Sequence, residues 1–164
     1  MTNKKTKNQS SCSAFLLVWS GRKWDWTDLP EKKKEVQEKG YTICPYSCGN
    51  NKSISLGDKI FFIRLGKEPR GIFASGTVVK ERYEGEHWDR KENRKIGYID
   101  VKVNLLLEPK KERIDSILPL SFLKEGRLGE MHWESQVSGI KIPQNIANEV
   151  EKEFKKACGR KNYD

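Results

Sequence analysis

Short apolar runs alternate with charged stretches along this chain, and they predict several strands of one small sheet. Ala14–Trp19 is a continuous apolar run, which is typical of a strand buried on both faces. Lys59–Leu65 and Ile72–Lys80 predict two strands joined by a hairpin, and Gly76 in the second predicts a bulge or a close backbone approach where the sheet curls. Apolar and polar residues alternate along Tyr98–Leu107, so this segment predicts a long strand.

Two helices are indicated by capping residues and by one amphipathic stretch. The first is predicted over about Asp28–Lys39, because a proline and an acidic residue open it and Gly40 ends it. Pro143–Ala157 carries apolar residues on one stripe, which predicts a second helix packed on the sheet. A brief strand over Ile140–Ile142 and a helical turn over Ser121–Lys124 are also expected. The pattern predicts one α+β domain, a small curled and mostly antiparallel sheet or barrel of five or six strands flanked by helices.

Three further segments are predicted to be loops, because they are rich in polar or turn-forming residues. They are Cys44–Asn51, Glu81–Lys95 and Leu128–Gly139, of which the second is the most polar and is expected to be mobile. Each of the three contains at least one large aromatic residue, which makes them candidates for binding.

The charge balance favours a polyanionic partner. The chain carries 32 lysines and arginines against 23 aspartates and glutamates, with a formal charge of +9 and a pI of about 9.4. On a small domain such a surplus points most often to nucleic acid and less often to an anionic membrane. No run approaches the roughly 18 apolar residues of a membrane span, and the polar start has no apolar stretch typical of a secretory signal. We expect a cytoplasmic protein with a disordered arm over residues 1–12, a folded domain over 13–158 and a tail over 159–164.

The cysteines and histidines do not form a typical metal pattern. Four cysteines in a cytoplasmic protein are expected to be reduced thiols. A zinc site built from Cys44, Cys48, His87 and His132 is conceivable, but three residues separate the two cysteines and no second pair follows. The sequence therefore favours ordinary thiols, with no metal and no cofactor.

Catalytic patterns are weak in this chain. An HNH nuclease needs clustered histidines and a metal, whereas the histidines here are far apart in sequence. Asp100 and Lys102 match the Asp-x-Lys element of many metal-dependent nucleases, but strand alternation places both on one solvated face regardless. Phosphate-binding loops, nucleophile elbows and metalloprotease helices are missing from the sequence. The chain is therefore expected to bind a ligand rather than to catalyse a reaction.

The tryptophans are the strongest indication of what is bound. There are five, and Trp24, Trp26, Trp88 and Trp133 have polar or charged neighbours, while Trp19 ends an apolar run. Aromatic rings on polar loops are suited to stacking on a planar ligand, at roughly 1–3 kcal/mol per nucleic-acid base. The alternative is that each tryptophan anchors its own loop on the core, and this is expected to hold for some of them.

Taken in order, several short motifs resemble the EVE domain, a PUA-like relative of the YTH domain that recognises methylated adenine in RNA. The resemblance covers nearly all of the chain from Phe15 to Phe154 and rests on order and spacing rather than on any one motif. The motifs are Phe15–Trp19, Tyr46–Asn50, Gly57-Asp58, Glu68–Ile72, Gly76, His87–Asp89 and Met131–Ile140. This version is similar to the reader domain fused to HNH nucleases in modification-dependent restriction enzymes.

The resemblance implies an aromatic cage around a flipped base. The two cage positions of the YTH pattern correspond to Tyr46, where that pattern has tryptophan, and to Trp88. The resemblance implies that Trp24, Trp26 or Trp133 supplies a third wall. The full set of implied base-binding residues is Tyr46, Trp88, Trp24, Trp26, Trp133, Trp19, Ser20, Ser47, Cys48, Asn50 and Asp89. The residues expected to contact the nucleic-acid backbone are Arg22, Lys23, Lys52, Arg70, Gln136, Ser138 and Lys141.

The implied function is that of a reader of duplex DNA carrying 5-methylcytosine or 5-hydroxymethylcytosine, in a modification-dependent restriction system. On this interpretation the chain itself is not an enzyme, and an HNH nuclease domain is fused to it or supplied by a partner. The alternative is an RNA-binding PUA-like or YTH-like module that reads single-stranded or methylated RNA.

Overall fold

The computed structural model describes residues 12–161, so the predicted arm over residues 1–12 lies almost wholly outside the described residues. Within that range the chain forms seven strands and three α-helices around one core. The strands are β1 (Ala14–Ser20), β2 (Thr42–Gly49), β3 (Lys59–Leu65), β4 (Gly71–Glu86), β5 (Lys95–Leu106), β6 (Leu118–Pro119) and β7 (Ile140–Ile142). The helices are α1 (Leu29–Lys39), α2 (Leu120–Leu123) and α3 (Gln144–Lys161).

The strands form one sheet in the order β2-β5-β4-β3-β1-β7, and β6 pairs with β4. Every pairing in it is antiparallel except that of β1 with β3, which is parallel from Ala14 opposite Lys59 to Ser20 opposite Leu65. The expected α+β class and mostly antiparallel sheet are therefore confirmed.

The curl of the sheet is concentrated in β4. The register of this strand against β5 shifts between Ser75 and Gly76 and twice more before Tyr83. A β-carbon at position 76 would collide with the Lys102 carbonyl oxygen, so the close backbone approach predicted from this glycine is confirmed.

The core lies between the sheet and α3. The apolar stripe of α3 is buried, including Ile146, Val150 and Phe154, as its periodicity predicted. Phe15, Leu16 and Leu17 of β1 are also buried, in keeping with a strand covered on both faces. Helix α3 continues to Lys161, four residues past its predicted end.

Helix α1 begins and ends where the capping residues predicted. A proline lies in its first turn, and Gly40 follows it in the left-handed conformation with φ +87°. The Gly40 N–H donates to the Val36 carbonyl at 2.8 Å. Leu29 is its one buried residue, so the helix lies at the surface, where it packs against β2 and β5.

The prediction of a loop over Cys44–Asn51 was wrong, because most of it belongs to β2. Thr42, Cys44, Tyr46 and Cys48 point inward while the residues between them are more exposed. Pro45 is tolerated because β2 lies at one end of the strand order and pairs only with β5 among the described strands. The local composition of turn-forming residues was outweighed by this pairing.

The prediction of a long polar loop over Glu81–Lys95 was also wrong at both ends. Strand β4 runs to Glu86 and β5 begins at Lys95, so the loop shrinks to residues 87–94. The paired ends are held by polar and aromatic contacts. The Tyr83 hydroxyl donates to Asp100 at 2.6 Å, and the Tyr83 and Tyr98 rings stack with centroids 6.1 Å apart. This extended hairpin carries the loop that holds Trp88 over the end of the sheet.

Candidate functional site

An open cavity of about 530 Å³ lies where the end of β1, the end of β2 and the β4–β5 loop meet. Its volume falls within the roughly 300–1,000 Å³ that is usual for ligand pockets. We call it the aromatic cavity, because Trp24, Tyr46 and Trp88 form one of its walls.

The three rings of this aromatic wall are arranged in series. The centroid of Trp24 lies 6.2 Å from that of Tyr46 and 6.4 Å from that of Trp88, with interplanar angles of 41° and 37°. Tyr46 is 8% exposed and Trp88 is 50% exposed, so the wall runs from the interior to the solvent. Of the three tryptophans that the sequence offered for a third wall, Trp24 lines the cavity beside Tyr46 and Trp88, whereas Trp26 and Trp133 do not.

A second layer of rings holds this wall in place. Trp26 stacks on Tyr46 with centroids 5.4 Å apart and an angle of 26°. Trp19 is 6% exposed, and its indole N–H donates to the Trp24 carbonyl at 3.1 Å. The Arg64 guanidinium lies 4.8 Å from the Trp19 ring centroid on another side. Trp19 and Trp26 therefore support the wall from behind and do not line the cavity.

Tyr46 is fixed in both orientation and charge. Its hydroxyl donates to the Val18 carbonyl at 2.9 Å, and burial raises the pKa of the phenol far above its usual value. The ring therefore stays neutral and presents an apolar edge at the bottom of the cavity.

The polar side of the cavity is built from two docked segments, the end of β2 and the rim segment (residues 135–139). The Ser138 hydroxyl accepts from the Val18 N–H at 2.9 Å, and the Gly139 N–H donates to the Leu16 carbonyl at 2.8 Å. Gly49 has φ +60°, and a β-carbon there would lie 2.9 Å from the Ser138 carbonyl oxygen. This close approach brings Ser47 and Asn50 beside Gln136 and Ser138 on the cavity lining.

Trp88 is carried by a loop with its own hydrogen bonds. The His87 Nδ1 accepts from the Asp89 N–H at 2.9 Å, and the Asp89 carboxylate accepts from the Lys91 N–H at 3.1 Å. A planar ring fits between two aromatic faces about 7–8 Å apart, twice the carbon contact distance. Since the centroids of Trp24 and Trp88 are 6.4 Å apart and the rings are tilted by 37°, sandwiching a base between them requires Trp88 to move outward.

A second cavity of about 450 Å³ adjoins the first and is strongly basic. Arg90, Arg94 and Lys95 line it together with a single acid, Glu86. The two cavities share His87 and Arg94. We call this second cavity the basic cavity. The sequence has several cations close to Trp88, but they were not predicted to form a site. The reason is that this segment was interpreted as a mobile loop rather than as the tip of a hairpin.

Six of the residues predicted to bind a base line the aromatic cavity, and they come from three distant parts of the sequence. They are Ser20, Trp24, Tyr46, Ser47, Asn50 and Trp88. Lys23, Gln136 and Ser138, which were predicted to contact the backbone, line the same cavity.

The structure places other predicted base-binding residues away from the cavity. Trp133 is 2% exposed and donates its indole N–H to the Leu128 carbonyl at 2.8 Å, so it belongs to the core and does not line the cavity. Cys48 is fully buried, and burial raises the pKa of its thiol. Asp89 serves its own loop through the bond to Lys91. None of these three side chains lines the aromatic cavity: Trp133 and Cys48 are buried in the core, and the Asp89 carboxylate caps its own loop.

The remaining predicted backbone contacts also lie outside the cavity lining. Arg22, Lys52 and Lys141 are exposed. The Arg70 guanidinium forms ion pairs with Glu68 at 2.7 Å and Glu134 at 3.3 Å, so its charge is already partnered.

The Asp-x-Lys pair has structural partners. Asp100 accepts from the Tyr83 hydroxyl, and the Lys102 ammonium lies 4.6 Å from the Tyr41 ring centroid. Across residues 12–161, no group of three or more His, Cys, Asp or Glu side chains is arranged to hold a metal ion. Within the same residues, no helix is long and apolar enough to cross a membrane.

The curled, mostly antiparallel sheet with an aromatic cavity at its open end defines a PUA-like domain. The chain belongs to the EVE domain family, whose pattern it matches over residues 13–153. No curated protein matches it in sequence.

Solved structures of low sequence identity share the fold. A hypothetical protein from Leishmania major has a TM-score of 0.62 at 19% identity, over 91% of this chain and 98% of that one. The human THYN1 protein, in complex with DNA containing 5-methylcytosine, has a TM-score of 0.56 at 19% identity, over 87% and 97%. The Mmi1 YTH domain, in complex with RNA, has a TM-score of 0.56 at 9% identity, over 92% and 82%.

Proposed function

We propose that this EVE domain reads a modified base in duplex DNA by flipping it into the aromatic cavity. The observation that carries the proposal is the wall formed by Trp24, Tyr46 and Trp88, which faces a polar side within one cavity of about 530 Å³. The modified base is 5-methylcytosine or 5-hydroxymethylcytosine.

A base within a duplex cannot be held on both faces, so it must first rotate out at a cost of a few kcal/mol for unstacking and unpairing. Stacking on aromatic side chains returns roughly 1–3 kcal/mol per base. An added methyl group contributes about 0.8 kcal/mol when it is buried against apolar surface. Preference for the modified base arises from this last contribution, because the unmodified base leaves the same space unfilled.

The polar side of the cavity supplies the groups that read the edge of the base. Asn50 carries a side-chain amide with both donors and an acceptor, and Ser47 and Ser138 carry hydroxyls. The amide matches an edge that presents both donors and acceptors, as the Watson–Crick edge of cytosine does. The rim segment is hydrogen-bonded to β1 and lies close against the end of β2, which holds these groups in one arrangement before the base arrives.

The choice of DNA is supported by the human THYN1 protein, which shares the fold and is in complex with DNA containing 5-methylcytosine. The formal charge of +9 suits a polyanion of either kind. A role in modification-dependent restriction, with cleavage by a fused or associated HNH nuclease, extends the same proposal to the biological context. The RNA-binding alternative is favoured by the Mmi1 YTH domain, which shares the fold and is in complex with RNA.

Competition binding separates these alternatives. A labelled duplex that carries one 5-methylcytosine is bound to the protein, and three unlabelled competitors are titrated separately. They are the same modified duplex, a single-stranded RNA, and that RNA with one methylated base. We expect the modified duplex to displace the label at a concentration at least several-fold lower than any RNA. If methylated RNA is the stronger competitor, the domain is an RNA reader.

The basic cavity is proposed to seat phosphates beside the flipped nucleotide. Among residues 12–161, neither Arg90 nor Lys95 forms an ion pair with an acidic side chain, so both charges are available. Neutralising one phosphate changes the slope of log K against log salt by about 0.9.

We therefore expect Arg90→Gln with Lys95→Gln to weaken binding of modified and unmodified duplexes alike. The salt slope should flatten by about 0.9 for each phosphate that is no longer neutralised. The matched control is Lys110→Gln with Lys111→Gln, which removes two exposed charges that line neither cavity. Titrations at several salt concentrations measure the slopes. Equal salt slopes for the two double variants would show that the basic cavity does not contact phosphates.

A further inference from the structure

A base that flips out of a duplex leaves a gap in the base stack of its own strand and an unpaired base in the opposite strand. The cavity that receives the flipped base contacts neither of them. The two flanking bases are left about 6.8 Å apart, because nucleotides in one strand are spaced by about 3.4 Å. One aliphatic side chain needs at least about 7 Å between two ring faces, so a single apolar residue fills such a gap once the flanking bases separate slightly further. Proteins that unstack DNA commonly insert an apolar side chain in this way.

Val137 has the properties of such a residue. It lines the aromatic cavity, yet 59% of its surface is exposed, more than for Trp88 at 50%. An apolar side chain on a mobile loop could fold back onto the protein, but hydrogen bonds fix the backbone that carries this one. The Ser135 hydroxyl accepts from the Val137 N–H and donates to its carbonyl oxygen, both at 3.1 Å.

The backbone on either side of Val137 is equally fixed. Ser135 is buried, and Ser138 and Gly139 are hydrogen-bonded to β1 through Val18 and Leu16. A rigid segment can push a side chain into a base stack without losing conformational freedom at that moment. The exposure of Val137 is therefore a built feature of the cavity mouth.

Gln136 precedes Val137, is exposed, and lines the same cavity. Its amide offers two donors and an acceptor, so it can pair with the base that has lost its partner. The two side chains together meet both needs of a flipped duplex, a filler for the gap and a hydrogen-bonding partner for the orphaned base.

We propose that Gln136 and Val137 form a wedge that enters duplex DNA when the base flips, which makes double-stranded DNA the substrate of this domain. The inference rests on the proposed reader function and adds what happens on the DNA side. A single strand offers no stacked gap and no orphaned base, so the wedge contributes nothing to binding a flexible strand.

The test compares duplex and single-stranded forms of one oligonucleotide carrying a single 5-methylcytosine. Val137→Ala is expected to weaken duplex binding by about five- to tenfold, since two methyl groups no longer fill the gap, and to leave single-strand binding within about twofold. Val79→Ala is the matched control, because Val79 is 44% exposed and lines neither cavity. It is expected to change neither affinity.

Gln136→Ala tests the second half of the wedge. It is expected to weaken binding when guanine faces the modified base and to have no effect when that position is abasic.

An equal loss on duplex and single strand for Val137→Ala would show that Val137 contacts the base itself, and an unchanged duplex affinity would show that it contacts nothing. Either result overturns the wedge.

The same measurements keep the two proposals apart. If the wild-type protein shows no preference for 5-methylcytosine in either form, the reader function fails whatever the variants do. If the wild type prefers the modified duplex and Val137→Ala binds it equally well, the reader function stands and the wedge is wrong.

Discussion

Trp88→Ala is expected to lower the affinity for a modified duplex by about tenfold to a hundredfold, which corresponds to the stacking of one aromatic ring on one base. Trp88 is half exposed and ends the aromatic wall at the solvent side, 6.4 Å from Trp24. Because half of its side chain is already exposed to solvent in the free protein, the free energy of unfolding should change by no more than about 1–2 kcal/mol.

Titration calorimetry or fluorescence anisotropy measures the affinity, and urea denaturation measures the stability. Trp88→Phe is the matched control, since it keeps an aromatic face and should recover most of the affinity. An alanine variant that binds the modified duplex as tightly as the wild type would place Trp88 outside the binding site. A variant that loses stability in proportion to binding would show that Trp88 supports the fold instead.

Trp133→Ala is expected to have the opposite profile, with a loss of about 3–5 kcal/mol in the free energy of unfolding. The indole is 2% exposed and donates to the Leu128 carbonyl, so truncation leaves a large void and removes a buried hydrogen bond. For a domain of this size the melting temperature should fall by about 10 °C.

Scanning calorimetry and urea denaturation measure this loss. At a temperature where the variant is folded, its affinity for the modified duplex should match that of the wild type, since Trp133 does not line the aromatic cavity. If the Trp133→Ala protein is stable but binds the modified duplex more weakly, Trp133 is part of the binding site. Together the two tryptophan variants separate the rings that bind from the rings that support the core.

The parts of the fold that were predictable from sequence are those whose local pattern and packing agree. Strands β1 and β3 are apolar runs that are buried, and α1 has a proline in its first turn and a glycine after its last residue. Strand β2 was missed because Pro45 and Gly49 indicate a turn when read locally. Its strand conformation depends on pairing with β5, which lies about fifty residues later in the chain.

The candidate site could be predicted in kind but not in detail. The sequence pointed to aromatic residues on polar loops, and Tyr46, Trp88 and Trp24 do meet at one cavity. Which tryptophans face it is decided by tertiary packing. Trp24 and Trp26 are two residues apart, yet one lines the cavity and the other stacks behind Tyr46.

The basic cavity and the rim segment were harder to recognise. Arg90, Arg94 and Lys95 are brought together by the tip of a hairpin whose strands are mostly polar, and polar strands lack the apolar alternation that indicates a sheet. The exposure of Val137 depends on hydrogen bonds to Ser135, which no periodicity reveals.

The most direct test of the proposed reader function is the ratio of dissociation constants for two duplexes that differ by one methyl group at C5 of a single cytosine. Both are measured with the wild-type protein at the same salt concentration, because phosphate contacts contribute equally to the two. We predict that the methylated duplex binds at least several-fold tighter, about what burial of one methyl group provides. Equal dissociation constants would contradict the reader function.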